Sequence, residues 1–193
     1  MENLLNSILS KVDDQSLQSI SRQANTTPAQ AKSALSSAIP VLMGALAKNS
    51  RTPEGASSLQ NAIQKDHNGG LLDNLGGYFE NPASGNGQGI LKHVLGDKQQ
   101  VVAQHISQES GVSDSSASKI LEMAAPLVMG FLGKKSAGGG GIGNLLGSFM
   151  NDESQTNPQS QNFITKLLDR DNDGSVMDDI GDMGKSFMGK MIK

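Results

Sequence analysis

The chain has 193 residues, enough to bury a substantial core, and a formal net charge of −3 with a pI near 5.6, which argues against the basic footprint of a nucleic-acid-binding protein. It contains no cysteine, so disulfides, thiolate chemistry and thiolate-bound zinc are excluded. Aromatic content is 3%, with no Trp and one Tyr, which leaves the core to Leu, Ile, Val, Ala and Met and favours closely packed helices.

The opening MENLLNSILSKVDDQ lacks the basic start and long apolar run of a secretory signal. No window supplies the roughly 20 apolar residues of a membrane span. The expectation is a soluble protein, placed by default in the cytoplasm, with neither a membrane nor a nucleic acid as its partner.

Leu4, Leu5, Ile8 and Leu9 mark a short amphipathic helix. Asp13 and Asp14 can cap a second, carrying Leu17 and Ile20, and Asn25 is its expected stop. Thr27-Pro28-Ala29-Gln30 combines an N-cap Thr, Pro at the first helical position and Gln three residues after the cap. It opens a long helix through Ala31, Ala34, Leu35, Ala38, Val41, Leu42, Ala45 and Leu46, with Pro40 as an expected kink. Thr52-Pro53-Glu54 starts a further helix through Leu59 and Ile63, ended by His67-Asn68-Gly69-Gly70. Leu71 to Phe79 reads as a short helix, and Asn81 to Gln88 as a polar, Gly-rich loop.

From Gly89 the pattern recurs. A shift of 86 residues lays Leu4-Leu5 on Ile90-Leu91, Ile20 on Ile106, Pro40 on Pro126, Met43 on Met129 and Gly44 on Gly130. Further on, Leu75, Gly77, Phe79 and Asn81 match Leu145, Gly147, Phe149 and Asn151, and the helix after Thr52 gives way to the linker Ser136-Ala-Gly-Gly-Gly-Gly. Units repeated in this way normally bury their apolar faces against each other. The fold class read from this is all-α: a multihelical bundle over residues 1–150, made of two duplicated three-helix units (copies about 1–81 and 89–151). A flexible linker over 151–161 and an acidic helix-loop-helix tail over 162–193 are expected to follow.

That tail carries the sharpest chemical signal, Asp169-Arg-Asp171-Asn-Asp173-Gly174-Ser175-Val176. Carboxylates at loop positions one, three and five converge on a hard cation, Gly at six makes the turn, and the carbonyl of Ser175 at seven adds a ligand. Ile180 stands where the bidentate Glu of position twelve belongs, and Asp178 or Asp179 would have to substitute. The expected ligand set is Asp169, Asp171, Asp173, Ser175, Asp178 and Asp179, and the expected ion is calcium. The plainer alternative is an acidic turn whose Asp178 and Asp179 complement the dipole of the next helix.

Other chemistry is thinly supported. His105 to Leu121 has the outline of a helix-turn-helix, but its second helix offers Lys119 alone against Asp114 and Glu122. His67, His93 and His105 have no mutual metal-ligand spacing, and no nucleophile elbow, HExxH or phosphate-binding loop occurs. An enzyme is not expected. A membrane-inserting hairpin of the two apolar helices is the remaining alternative, against which ordinary core helices are preferred.

Three stretches together, YFENPASGNGQGILKHVLGDK (Tyr78 to Lys98), GVSDSSASKILEMAAPLVMGFLGK (Gly111 to Lys134) and the closing DRDNDGSVMDDIGDMGKSF, resemble the bacterial YidB-like family, a domain of unknown function. The resemblance runs over nearly the whole chain and implies a multihelical bacterial protein with no established activity and no catalytic residues to carry over. The functional expectation is therefore a non-catalytic binding or structural module, acting on a protein partner or a second copy of itself.

Overall fold

The computed structural model describes residues 4–66, 69–137, 141–156 and 158–168, and every regular element among them is helical. Three helices open the chain: α1 (Leu4–Leu9), α2 (Asp14–Ala24) and α3 (Pro28–Asn49). Next come α4 (Pro53–Asp66), a 3-10 turn at Gly70–Asp73, α5 (Leu75–Glu80) and a second 3-10 turn at Pro82–Gly85. The remaining helices are α6 (Gly87–Val94), α7 (Gln99–Ser110), α8 (Asp114–Ala137), α9 (Ile142–Thr156) and α10 (Pro158–Leu168).

The helix boundaries are set by local chemistry. Asp13 accepts from the Ser16 N–H at 2.8 Å and caps α2, and this bond holds its carboxyl below the usual range. Asn25 ends α2 in the left-handed region at φ 55°, and Gly111 ends α7 in the same way at φ 68°. At the start of α3, Thr27 and Gln30 form the reciprocal capping box, with the Gln30 N–H donating to Thr27 Oγ1 and the Thr27 N–H to Gln30 Oε1, both at 3.2 Å. Ser113 does part of the same work for α8, accepting from the Ser116 N–H at 3.1 Å.

α3 and α8 lie against each other at the centre. From Ala38 to Ala47, and from Met123 to Gly133, every residue is buried. A helix that is apolar all round needs cover on all sides. α3 receives it from α2, α7, α9 and α10, and α8 from α2, α6 and α7. Applying the 86-residue shift to the helix bounds brings α1 onto α6, α2 onto α7 and α3 onto α8 within a few residues at each end.

Pro40 and Pro126 sit inside α3 and α8 and leave the carbonyls four residues earlier, Ser36 and Glu122, without their usual helical donors. Around Pro126 the neighbourhood is built to suit. The buried Tyr78 hydroxyl donates to the Met123 carbonyl at 3.0 Å, and burial, reinforced by the Glu122 charge, pushes its pKa up. Gly87 approaches so closely that a Cβ there would stand 1.9 Å from the Glu122 oxygen.

Two expectations about the chain after Phe149 are corrected. Residues 151–161, read as a flexible linker, are helical over 151–156 and again from Pro158. Residues 162–168, read as the start of a separate tail, belong to α10, which packs on α3 and α9 and buries Ile164 and Leu167 in the common core. The physical reason is that Phe163, Ile164 and Leu167 form an amphipathic stripe, and Pro158 suits the first turn of a helix. The segment's average polarity hides both signals. The single helix expected over Leu71 to Phe79 is instead a 3-10 turn and α5, divided at Asn74, whose side chain caps α5 through the Gly77 N–H at 3.1 Å.

The glycines supply a direct check of this packing. Gly87→Ala must push α6 off α8, and a loss of about 2 kcal/mol or more is expected in urea denaturation. Gly147→Ala, on α9 with nothing within 4 Å of its Cβ position, is expected to gain about 0.5–1 kcal/mol through helix propensity.

Candidate functional site

The ligand set read from the sequence, Asp169, Asp171, Asp173, Ser175, Asp178 and Asp179, lies outside the described residues. What the structure places is the helix that delivers it. α10 ends at Leu168, directly before the first aspartate of the loop. Among the described residues no group of three or more His, Asp or Glu is placed to hold a metal ion.

α10 is fixed to the bundle by four contacts of different kinds. The Phe163 ring stacks on His105 of α7, with centroids 3.6 Å apart and planes 6° from parallel. Ile164 fills a notch over Gly44 of α3, where a Cβ would stand 2.6 Å from Ile164 Cγ2. Leu167 is buried, and its carbonyl accepts from Lys98 Nζ at the turn before α7. A lysine ammonium on a terminal carbonyl also meets the negative end of the helix dipole. Sequence reasoning leaves His105 as an ordinary residue. Only the ring stack, a contact between positions far apart in the chain, distinguishes it.

The suspected helix-turn-helix forms in outline as α7, a three-residue turn and α8, but its second helix is not free to enter a groove. Ser116, Ala117, Ile120 and Leu121 are buried, and Lys119 donates to the Gln23 carbonyl at 3.3 Å, at the end of α2. The first copy answers across the interface, since Gln30 Nε2 donates to the Gly111 carbonyl at 3.0 Å. Each corner is thus tied to the other copy's corner. The start of α8 presents Asp114, Lys119 and Glu122, a charge balance with little attraction for phosphates.

Three grooves remain on the described surface. The largest, about 700 Å³, lies between α4 and the junction of α8 with α9; Leu59, Ile63 and Ile142 line it together with Gln60 and Gln64. A second, about 360 Å³, runs beside Leu167 between Lys48, His93 and Lys98. A third, about 400 Å³, holds Lys119, Glu122, Asn86 and Gln88. His93 is exposed, with Nδ1 2.8 Å from the Gly89 carbonyl. No helix among the described residues is long and apolar enough to cross a membrane.

These features define a class before they define a family: a multihelical domain with a duplicated-looking arrangement of elements and a docked C-terminal helix. The model of the family described as "Bacterial protein of unknown function (DUF937)" matches residues 6–135, well over half of the chain, and the chain belongs to that family. This agrees with the YidB-like resemblance. The match reaches from α1 to the end of α8, so α9, α10 and the acidic loop extend past it. No curated protein and no solved structure matches the chain.

The His105–Phe163 stack has a pH signature. Burial lowers the His105 pKa from its ordinary value of 6.5, with Glu109 partly opposing the shift. A base with a depressed folded-state pKa contributes stability above its unfolded pKa, and that contribution is lost as pH falls through the folded value. Amide exchange in residues 158–168 is therefore expected to quicken as pH falls below about 6.5, after correction for intrinsic exchange. In His105→Gln this pH dependence is expected to vanish.

Proposed function

We propose that the chain is a non-catalytic binding or structural protein, in which two duplicated helical units form one bundle that presents a calcium-binding loop at residues 169–180. The duplication is supported by the 86-residue correspondence of α1–α3 with α6–α8, by the matching left-handed stops at Asn25 and Gly111, and by the paired hydrogen bonds between the two corners. The observation that carries the calcium reading is the run of carboxylates at positions one, three and five with Gly174 at six, set immediately after the anchored α10. The donors are hard oxygens, which suit calcium. Without an acid at position twelve the affinity belongs to the weaker end of such loops.

The partner is another protein or a second copy of this chain. Supporting this, the largest groove is lined by Leu59, Ile63 and Ile142, with no charged residue among its walls. The exposed charges of α8 and the engagement of Lys119 with Gln23 weigh against DNA.

A calorimetric calcium titration of the chelator-stripped full chain tests the metal site. Heat of binding is expected at calcium concentrations up to about 1 mM, and Asp171→Ala is expected to abolish it. A wild-type chain silent over that range would leave an acidic turn and remove calcium from the proposal.

A further inference from the structure

In a helix-loop-helix cation site the ligands are presented by a loop held between two helices, and the loop's affinity depends on how firmly those helices are held. The helix entering this loop is α10, and its apolar face is already spent on the bundle. Ile164 sits over Gly44, Leu167 is buried, and Phe163 lies on His105. The carbonyl of Leu167, two residues before Asp169, is held by Lys98. The bundle thus occupies the side of the entering helix that would otherwise face a partner helix of the loop.

We infer that Gly44, His105 and Lys98 are positioning residues for the cation loop, and that docking of α10 and binding of calcium are coupled. The inference rests on the calcium reading of residues 169–180 and adds what regulates that site. With α10 docked, the first ligand follows from an ordered helix end, and less chain entropy has to be lost when the ion binds. Coupling between two equilibria is reciprocal: whatever factor docking contributes to calcium affinity, calcium returns to the docking of α10.

The repeat provides an internal control. Gly130 is the counterpart of Gly44 in the second copy, but a Cβ at Gly130 meets only Leu71 and Leu72, at 3.8 Å, an ordinary contact distance. A methyl at Gly44 instead collides with Ile164, whose branched Cβ gives it little freedom to turn aside. The two substitutions are chemically identical and sit at equivalent points of α3 and α8, yet only one of them reaches α10.

The experiment is calcium titration of the full chain as wild type, Gly44→Ala, Gly130→Ala and Ile164→Ala, with amide exchange of residues 158–168 followed in each, with and without calcium. Ile164→Ala releases α10 without altering α3, and far-UV circular dichroism checks that the bundle persists. Gly44→Ala and Ile164→Ala are expected to weaken calcium binding by about fivefold or more and to lose protection in α10, with Gly130→Ala matching wild type. Calcium is expected to raise the protection of α10 in the wild type. If α10 loses protection in both variants while their calcium affinity equals that of the wild type, the coupling is overturned and the calcium site stands. If the wild type binds no calcium, the calcium reading fails and the coupling falls with it; α10 protection in that experiment then reports anchoring alone.

Discussion

The constraint on which this fold depends is the contact between α3 and α8. Each of these helices is apolar around its whole circumference in the middle, so neither can stand at a surface. Laid together they hide one side of each, and the remaining sides fix the positions of the other elements. α2 and α7 each touch both central helices, α6 closes over α8, and α9 and α10 close over α3. The low aromatic content follows from the same demand. Ala and Gly at the crossing let the two backbones approach closely, and bulky rings are kept for the periphery, where Phe79 and Phe149 are buried in α5 and α9.

The prolines sharpen this picture. A proline within a fully buried helix frees a carbonyl where water cannot easily reach it, and an unsatisfied buried acceptor costs about 1–3 kcal/mol. In α8 the bend region at Pro126 is met by the Tyr78 hydroxyl and by the close approach of Gly87. The lone tyrosine and a glycine of the stretch between the two copies therefore serve the central helix. This explains why that stretch, polar as it is, folds back onto the core as 3-10 turns and the short α5.

Local chemistry was readable from the sequence wherever one or two residues decide the outcome. The Thr27–Gln30 box, the Asn25 stop, the Pro53 start and the burial of the two apolar helices all appear where the residue types place them. What escaped reading depends on contacts between distant positions. Nothing near Phe163 announces that His105 will lie beneath its ring, and nothing near Gly44 announces Ile164. The polarity of residues 151–161 masked a helix whose apolar stripe begins only at Phe163. Of the candidate site, the sequence offers the ligand pattern itself, while the support beneath it emerges only from the packing of α10. The two copies also diverge where sequence treats them alike: Gly44 and Gly130 occupy equivalent positions, yet one is filled by a helix from the C-terminal side and the other faces a 3-10 turn.

The dependence of α3 on α8 has a consequence for synthesis. α3 is complete at Asn49, but α8 is not complete until Ala137 and α10 not until Leu168. At ordinary translation speeds of about 5–20 residues per second, the most apolar helix of the first half waits roughly 4–18 seconds for its main partner. α2 covers one side of it in the interval, and the rest stays open. The first half of this protein emerges from the ribosome as an adhesive surface, and a cell making it in quantity has to shield that surface until the second half arrives.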